Sequence, residues 1–169
     1  MFDVNDTLIY GTQGVCTIVE KTQKKVGSNM VVYFVLKPVG KVNSTIFVPE
    51  DNEVLVGKMK SILSETELCK LIEDDTDIES FWIDGDNDRK RLFQSIITAC
   101  DRKKLINLIR TLYSKKKHFQ SIGKKIHQSD EKFMATAEKI ICDELSYVMG
   151  VSLEEAIEYL HGKIRCEEV

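Results

Sequence analysis

The 169-residue chain has no apolar run near the length of roughly 18 residues that a membrane span requires. Its first residues, Met1-Phe2-Asp3-Val4-Asn5-Asp6, carry neither the basic n-region nor the apolar h-region of a secretory signal, so a cytoplasmic protein is expected. The cysteines (Cys16, Cys69, Cys100, Cys142, Cys166) are odd in number and never form C-x-x-C. Buried thiols in a reducing compartment fit that scatter better than a disulfide framework or a zinc site. There is no G-x-S-x-G, no P-loop and no G-x-G-x-x-G, and His118, His127 and His161 lack H-E-x-x-H spacing. No cofactor, metal or small-molecule substrate is indicated, and an enzyme is not expected. Internal repeats and low-complexity segments are also lacking.

What the chain does have is an uneven charge distribution. Residues 81–127 hold 12 Lys/Arg against 4 Asp, a net of +8, whereas residues 1–80 carry −5 and residues 128–169 carry −6. The overall net of −3 therefore hides a basic island between two acidic arms. The island begins at the only tryptophan, Trp82, and continues through Arg89, Lys90, Arg91, Lys103, Arg110, Lys117, Lys124 and Lys125. Cations beside one large aromatic suit a surface that holds phosphates while a ring wedges or stacks. A charge run by itself more often marks a solvated helix face, and a lone tryptophan more often anchors a core.

Residues 1–60 read as β structure. Leu8–Tyr10, Val15–Val19, Met30–Leu36 and Thr45–Val48 are β-branched and aromatic runs separated by Gly-containing turns, with Pro49 closing the last. Four or five such strands predict a small, bent antiparallel sheet or barrel. From Lys60 the period changes to 3.6. Ser64-x-x-Glu67 spells a capping box before Leu68, Leu71 and Ile72, and acidic residues 73–80 mark the boundary of a 61–80 helix and linker. Residues 81–169 read as a compact bundle of about four helices. The first buries Leu92, Phe93, Ile96 and Ile97; the second is capped by Asp101 and buries Leu105, Leu108, Ile109 and Leu112. On that second helix Lys103, Arg110 and Lys117 recur every seven residues as a row of outward cations. Ser129 or Asp130 caps the third helix, and Ser152-x-x-Glu155 opens the last. The fold class is α+β, with the sheet and the bundle in sequence.

Asp84-Gly85-Asp86-Asn87-Asp88 begins like a calcium loop, but Arg89 stands at the sixth position and Ser95 at the twelfth, where Gly and Glu are needed. Carboxylates at a helix N-terminus explain the cluster. No helix shows the one-faced amides and arginines of a recognition helix, so any DNA contact is expected to read shape and deformability rather than sequence.

Several motifs resemble the CarD/CdnL family of bacterial transcription regulators, whose N-terminal module is shared with the transcription-repair coupling factor. The matching residues are Phe2-Asp3-Val4-Asn5-Asp6 with Tyr10-Gly11-x-x-Gly14-Val15, then Tyr33–Lys37, and Val48-Pro49-x-x-Asn52 with Val56-Gly57. In the second half, Trp82 stands before the basic helix, followed by Cys100-Asp101-Arg102, Leu108–Tyr113 and Lys124-Lys125-Ile126-His127. The resemblance implies a Tudor-like module docking on the RNA polymerase β subunit through a sheet edge. It also implies a helical domain lying on promoter DNA, with Trp82 as a minor-groove wedge that slows collapse of the open complex. Phe47 occupies a position that is often basic in the family, so docking would use Ile46, Phe47 and Pro49 with Lys24 or Lys25. The competing expectation is a protein–protein adaptor whose basic bundle meets an acidic partner.

Overall fold

The computed structural model describes residues 1–76 and 78–166, the last two through their backbone. It forms two compact units, Met1–Ile62 and Leu63–Val169.

The first unit is a five-stranded antiparallel sheet of order β4-β3-β2-β1-β5. Its strands are β1 (Thr7–Tyr10), β2 (Val15–Val26), β3 (Asn29–Pro38), β4 (Ile46–Pro49) and β5 (Met59–Ser61). Alternate positions of these strands bury Leu8, Cys16, Ile18, Phe34, Leu36, Val48 and Met59 in one core. The register of β2 against β3 shifts between Ile18 and Glu20. Such a bulge increases local twist, which lets so short a sheet curl over its own core. Beyond that core β2 and β3 continue as a two-stranded ribbon, from Gln23↔Val32 to Val26↔Asn29. Gly27, with φ +63°, supplies the positive φ of its tight turn. The alternation-based reading stops β2 at Val19, because the run Glu20-Lys21-Thr22-Gln23-Lys24-Lys25 is polar. The polar β2 arm lies in solvent, while the β3 arm opposite it carries the apolar run Met30-Val31-Val32. A one-turn helix, α1 (Glu53–Val56), interrupts the expected β character where Asn52 accepts a hydrogen bond from the Leu55 amide.

Among the described residues the second unit holds five helices: α2 (Glu65–Glu73), α3 (Asp86–Ala99), α4 (Arg102–Ser121), α5 (Gln128–Met149) and α6 (Leu153–Cys166). The Ser64/Glu67 capping box forms in both directions, Asp101 accepts from the Lys104 amide, and Ser152 and Glu155 exchange bonds. Each device satisfies amides that a helix start leaves unpaired. α2 lies within this unit, with Leu68 and Ile72 fully buried in the helical core.

α4 is the central helix. All eight residues from Leu105 to Leu112 are buried, including Asn107, Arg110 and Thr111. A helix covered on every side has no solvent face at its middle, so the expected outward row of cations is broken at Arg110. A second correction concerns α5: its N-cap is His127, without a side-chain capping bond, and Asp130 is fully buried in another role. Cys16, Cys100 and Cys142 are buried thiols. Burial pushes Cys16 up to about 11 and Cys142 up to about 12, so both stay protonated at neutral pH. The Cys166 side chain lies outside the described residues. Among those residues no helix is long and apolar enough to cross a membrane.

Candidate nucleic-acid interface

One end of the helical unit collects the residues around Trp82. Arg89 near the start of α3 pairs with Asp130 near the start of α5, and Phe93 stacks edge-on with Phe133, so these two helices begin at the same end. Lys116 near the end of α4 reaches Glu131 at 3.4 Å, so α4 runs the opposite way and finishes there. The α4–α5 connection, with exposed Lys124 and Lys125, lies at this end as well.

The Trp82 ring is half-buried against this end. It meets Phe119 at 5.9 Å between centroids, with Lys115 Nζ 5.0 Å and Arg89 Cζ 4.4 Å from the ring. Cations over an indole face are attracted by the ring quadrupole. The indole N–H donates to Asp84 Oδ1 at 3.0 Å. The three neighbouring carboxylates are each engaged locally. Asp84 takes the indole, Asp86 accepts from Arg89 at 2.6 Å, and Asp88 stands 4.0 Å from Arg91. The Arg89 hydrogen bond is the main cause that holds Asp86 below the usual carboxylate range, with the fields of His127, Arg89 and Lys90 adding to it.

The structure divides the sequence-predicted cations into two classes. Lys90, Arg91, Lys103, Lys117, Lys124 and Lys125 are exposed. Arg89 and Arg110 are interior, and neither presents its guanidinium to a phosphate. Arg89 is 1% exposed and gives hydrogen bonds to Asp130, Asp86 and the carbonyls of Ile83 and Asp84. Burial alone would lower its pKa, but the bonds to Asp130 and Asp86 outweigh that, and the guanidinium stays charged. Arg110 is 8% exposed and donates to the carbonyls of Ile72 and Asp74, closing the C-terminus of α2. Arg102, also part of the basic island, is a bidentate partner of buried Glu144 at 2.7 Å. Arginine takes these interior places because its planar fork satisfies several acceptors at once.

Distance separates the exposed cations further. Lys103 lies twelve positions before Lys115 on α4, about 18 Å along the axis at 1.5 Å per residue. It therefore sits at the far end of α4 from Trp82. Lys115 and Phe119, which touch the Trp82 ring, were not candidates from sequence. Their i, i+4 spacing on α4 is ordinary, and nothing local ties them to a tryptophan more than thirty residues earlier.

In the N-terminal unit, β4 is an edge strand of the sheet. Val48 points into the core, while Phe47, 42% exposed, points outward. Lys24 Nζ lies 3.5 Å from the Phe47 ring centroid, and Tyr33 meets that ring edge-on at 6.3 Å. Ile46 and Pro49 are partly buried, and Lys25 is exposed on the ribbon. The edge and this cation–aromatic cluster are contiguous. Such a surface can add a strand from another protein and clasp one of its side chains.

No curated protein matches the chain. The family model of the CarD-like/TRCF RID domain matches residues 2–60, nearly the whole of the first unit. This domain family is a non-catalytic interaction module that contacts the RNA polymerase β subunit. The β-sheet unit of this chain is a CarD-like/TRCF RID domain.

Proposed function

We propose that the chain is a bacterial transcription regulator that docks on the RNA polymerase β subunit and stabilises the open promoter complex. Docking uses the β4 edge, with Ile46, Phe47 and Pro49 beside Lys24 and Lys25. The helical unit lies on upstream DNA without sequence specificity. Trp82 occupies a widened minor groove, while Lys115, Lys124 and Lys125, joined by Lys90 and Arg91, hold phosphates. Lys103 and Lys117 contribute to the wider positive field. The observation that carries this reading is the half-buried Trp82 ring, set among cations at one end of the bundle.

The mechanism is a shift of population. A regulator that binds open promoter better than closed promoter moves that equilibrium by its differential affinity, and about 1.4 kcal/mol corresponds to tenfold. Opening a minor groove for an indole costs a few kcal/mol of unstacking, least where base pairs are already parting at a bubble edge. Polymerase tethering raises the local concentration of the DNA-facing unit, so weak contacts suffice. The test is open-complex lifetime with purified bacterial polymerase under competitor challenge. Trp82→Ala is expected to shorten the lifetime with polymerase binding intact, and an unchanged lifetime refutes the wedge.

A second reading, an adaptor for an acidic protein, draws support from a groove of about 900 Å³ along α3 and α5. Its exposed lining is mostly apolar, and the charged residues along it, Lys90, Arg91 and Lys132, are all cations. Under that reading, neutralising Lys124 and Lys125 leaves DNA binding unchanged.

A further inference from the structure

Arg89 is more elaborately held than stability alone explains. An ion pair buried as deeply as Arg89 and Asp130 replaces hydration at a cost, and a well-packed apolar pair of similar volume often serves a fold as well. An apolar pair cannot grip the backbone of a neighbouring segment, and Arg89 does. Nε and Nη2 donate to Asp130 of α5 at 3.0–3.2 Å, and Nη2 also donates to Asp86. Nη1 donates to the Ile83 carbonyl at 2.8 Å and, more distantly, to that of Asp84 at 3.4 Å. Those carbonyls belong to the two residues that follow Trp82. Cζ of the same guanidinium lies 4.4 Å from the Trp82 ring centroid. One side chain thus ties the indole, the peptide units beside it and the starts of two helices into a single rigid body.

We infer that the buried Arg89–Asp130 pair is a positioning element for Trp82: it fixes the direction in which the indole faces solvent. The use made of that direction rests on the wedge reading above, but the fixation itself does not. Lysine at this site would keep a positive charge on Asp130. Lacking a planar fork, it cannot reach the Ile83 carbonyl and both carboxylates together. A role confined to charge neutralisation would therefore tolerate Arg89→Lys, whereas positioning would not.

Trp82 is the only tryptophan, so intrinsic fluorescence of the full chain reads this ring alone. In Arg89→Lys and Asp130→Asn, helicity by far-UV circular dichroism is expected to persist. Acrylamide quenching of Trp82 should rise, emission should shift to the red, and anisotropy should fall. Open-complex lifetime should drop to that of Trp82→Ala, and adding Arg89→Lys to Trp82→Ala should shorten it no further. A helical Arg89→Lys protein with wild-type quenching and anisotropy overturns the inference, as does a double variant clearly worse than Trp82→Ala. Loosened fluorescence with an unchanged lifetime upholds the positioning role and rejects the wedge instead. Should the buried-pair variants not fold, Asp86→Ala removes one Arg89 acceptor at a half-exposed carboxylate. It too must loosen Trp82, and wild-type quenching in that variant also overturns the inference.

Discussion

Replacing Arg110 by alanine separates an interior cation from a phosphate contact. Arg110 Nη2 donates to the Ile72 carbonyl at 2.6 Å in a buried bond, and Nη1 donates to the Asp74 carbonyl at 3.0 Å in a partly buried one. A hydrogen bond to a charged donor contributes about 1.5–3 kcal/mol, and a buried acceptor left without its donor carries the full desolvation cost. The Ile72 bond thus accounts for about 2 kcal/mol, and the Asp74 bond, whose acceptor water can reach, for about 1 kcal/mol. A cation beside the last turn of α2 also complements the helix dipole, a smaller gain. A loss of about 3 kcal/mol corresponds to a melting shift on the order of 15 °C for a unit of roughly 100 residues. Differential scanning calorimetry of the full chain reads it as a lowered melting temperature. Lys117→Ala, at an exposed site on the same helix, should stay within about 0.5 kcal/mol. If Arg110→Ala melts like the wild type and instead lowers DNA affinity with a reduced salt slope, the interior assignment of this arginine is wrong.

Other expectations test different parts of the molecule. Lys124→Gln with Lys125→Gln should leave thermal stability unchanged and reduce the slope of log affinity against log salt by about 0.9 for each phosphate contact removed. An unchanged slope would take both residues out of the interface. Asp86 and Asp74 are held below the usual carboxylate range, chiefly by hydrogen bonds from Arg89 and Thr76 respectively. The unfolded chain therefore takes up protons first, so their stabilisation is complete above the ordinary value of about 3.9 and lost as pH falls through the lower folded values. Asp86→Asn should flatten the decline of the urea midpoint in that acid window, and an equally steep decline would contradict the assignment. Phe47→Asp, on the outer face of β4, should weaken capture of the polymerase β subunit without changing the far-UV spectrum; wild-type capture would move the docking surface elsewhere.

The elements legible from sequence are those whose cause is local. Ser64 with Glu67, Asp101 with Lys104 and Ser152 with Glu155 form their caps across three residues, so spacing alone places those helix starts. The β-branched and aromatic runs between glycine turns likewise predict a small antiparallel sheet, and the strands form where those runs lie. The β2 arm of the ribbon, past Val19, escaped because its polar residues have no core to impose alternation, whereas the β3 arm was legible from Met30 onward. The fate of the arginines was decided only by tertiary structure. Arg89, Arg102 and Arg110 spell the same basic island as Lys90, Lys124 and Lys125, yet their partners are Asp130, Glu144 and the Ile72 carbonyl, distant along the chain. The sequence by itself determined which segments turn or extend and how much charge they carry. Packing determined which of that charge meets water, because the cost of burying a cation is offset only by acceptors that other helices bring to it. The same packing set Phe119 and Lys115 beside Trp82, an encounter that depends on α4 reversing direction against α3 and α5 rather than on any spacing within one helix.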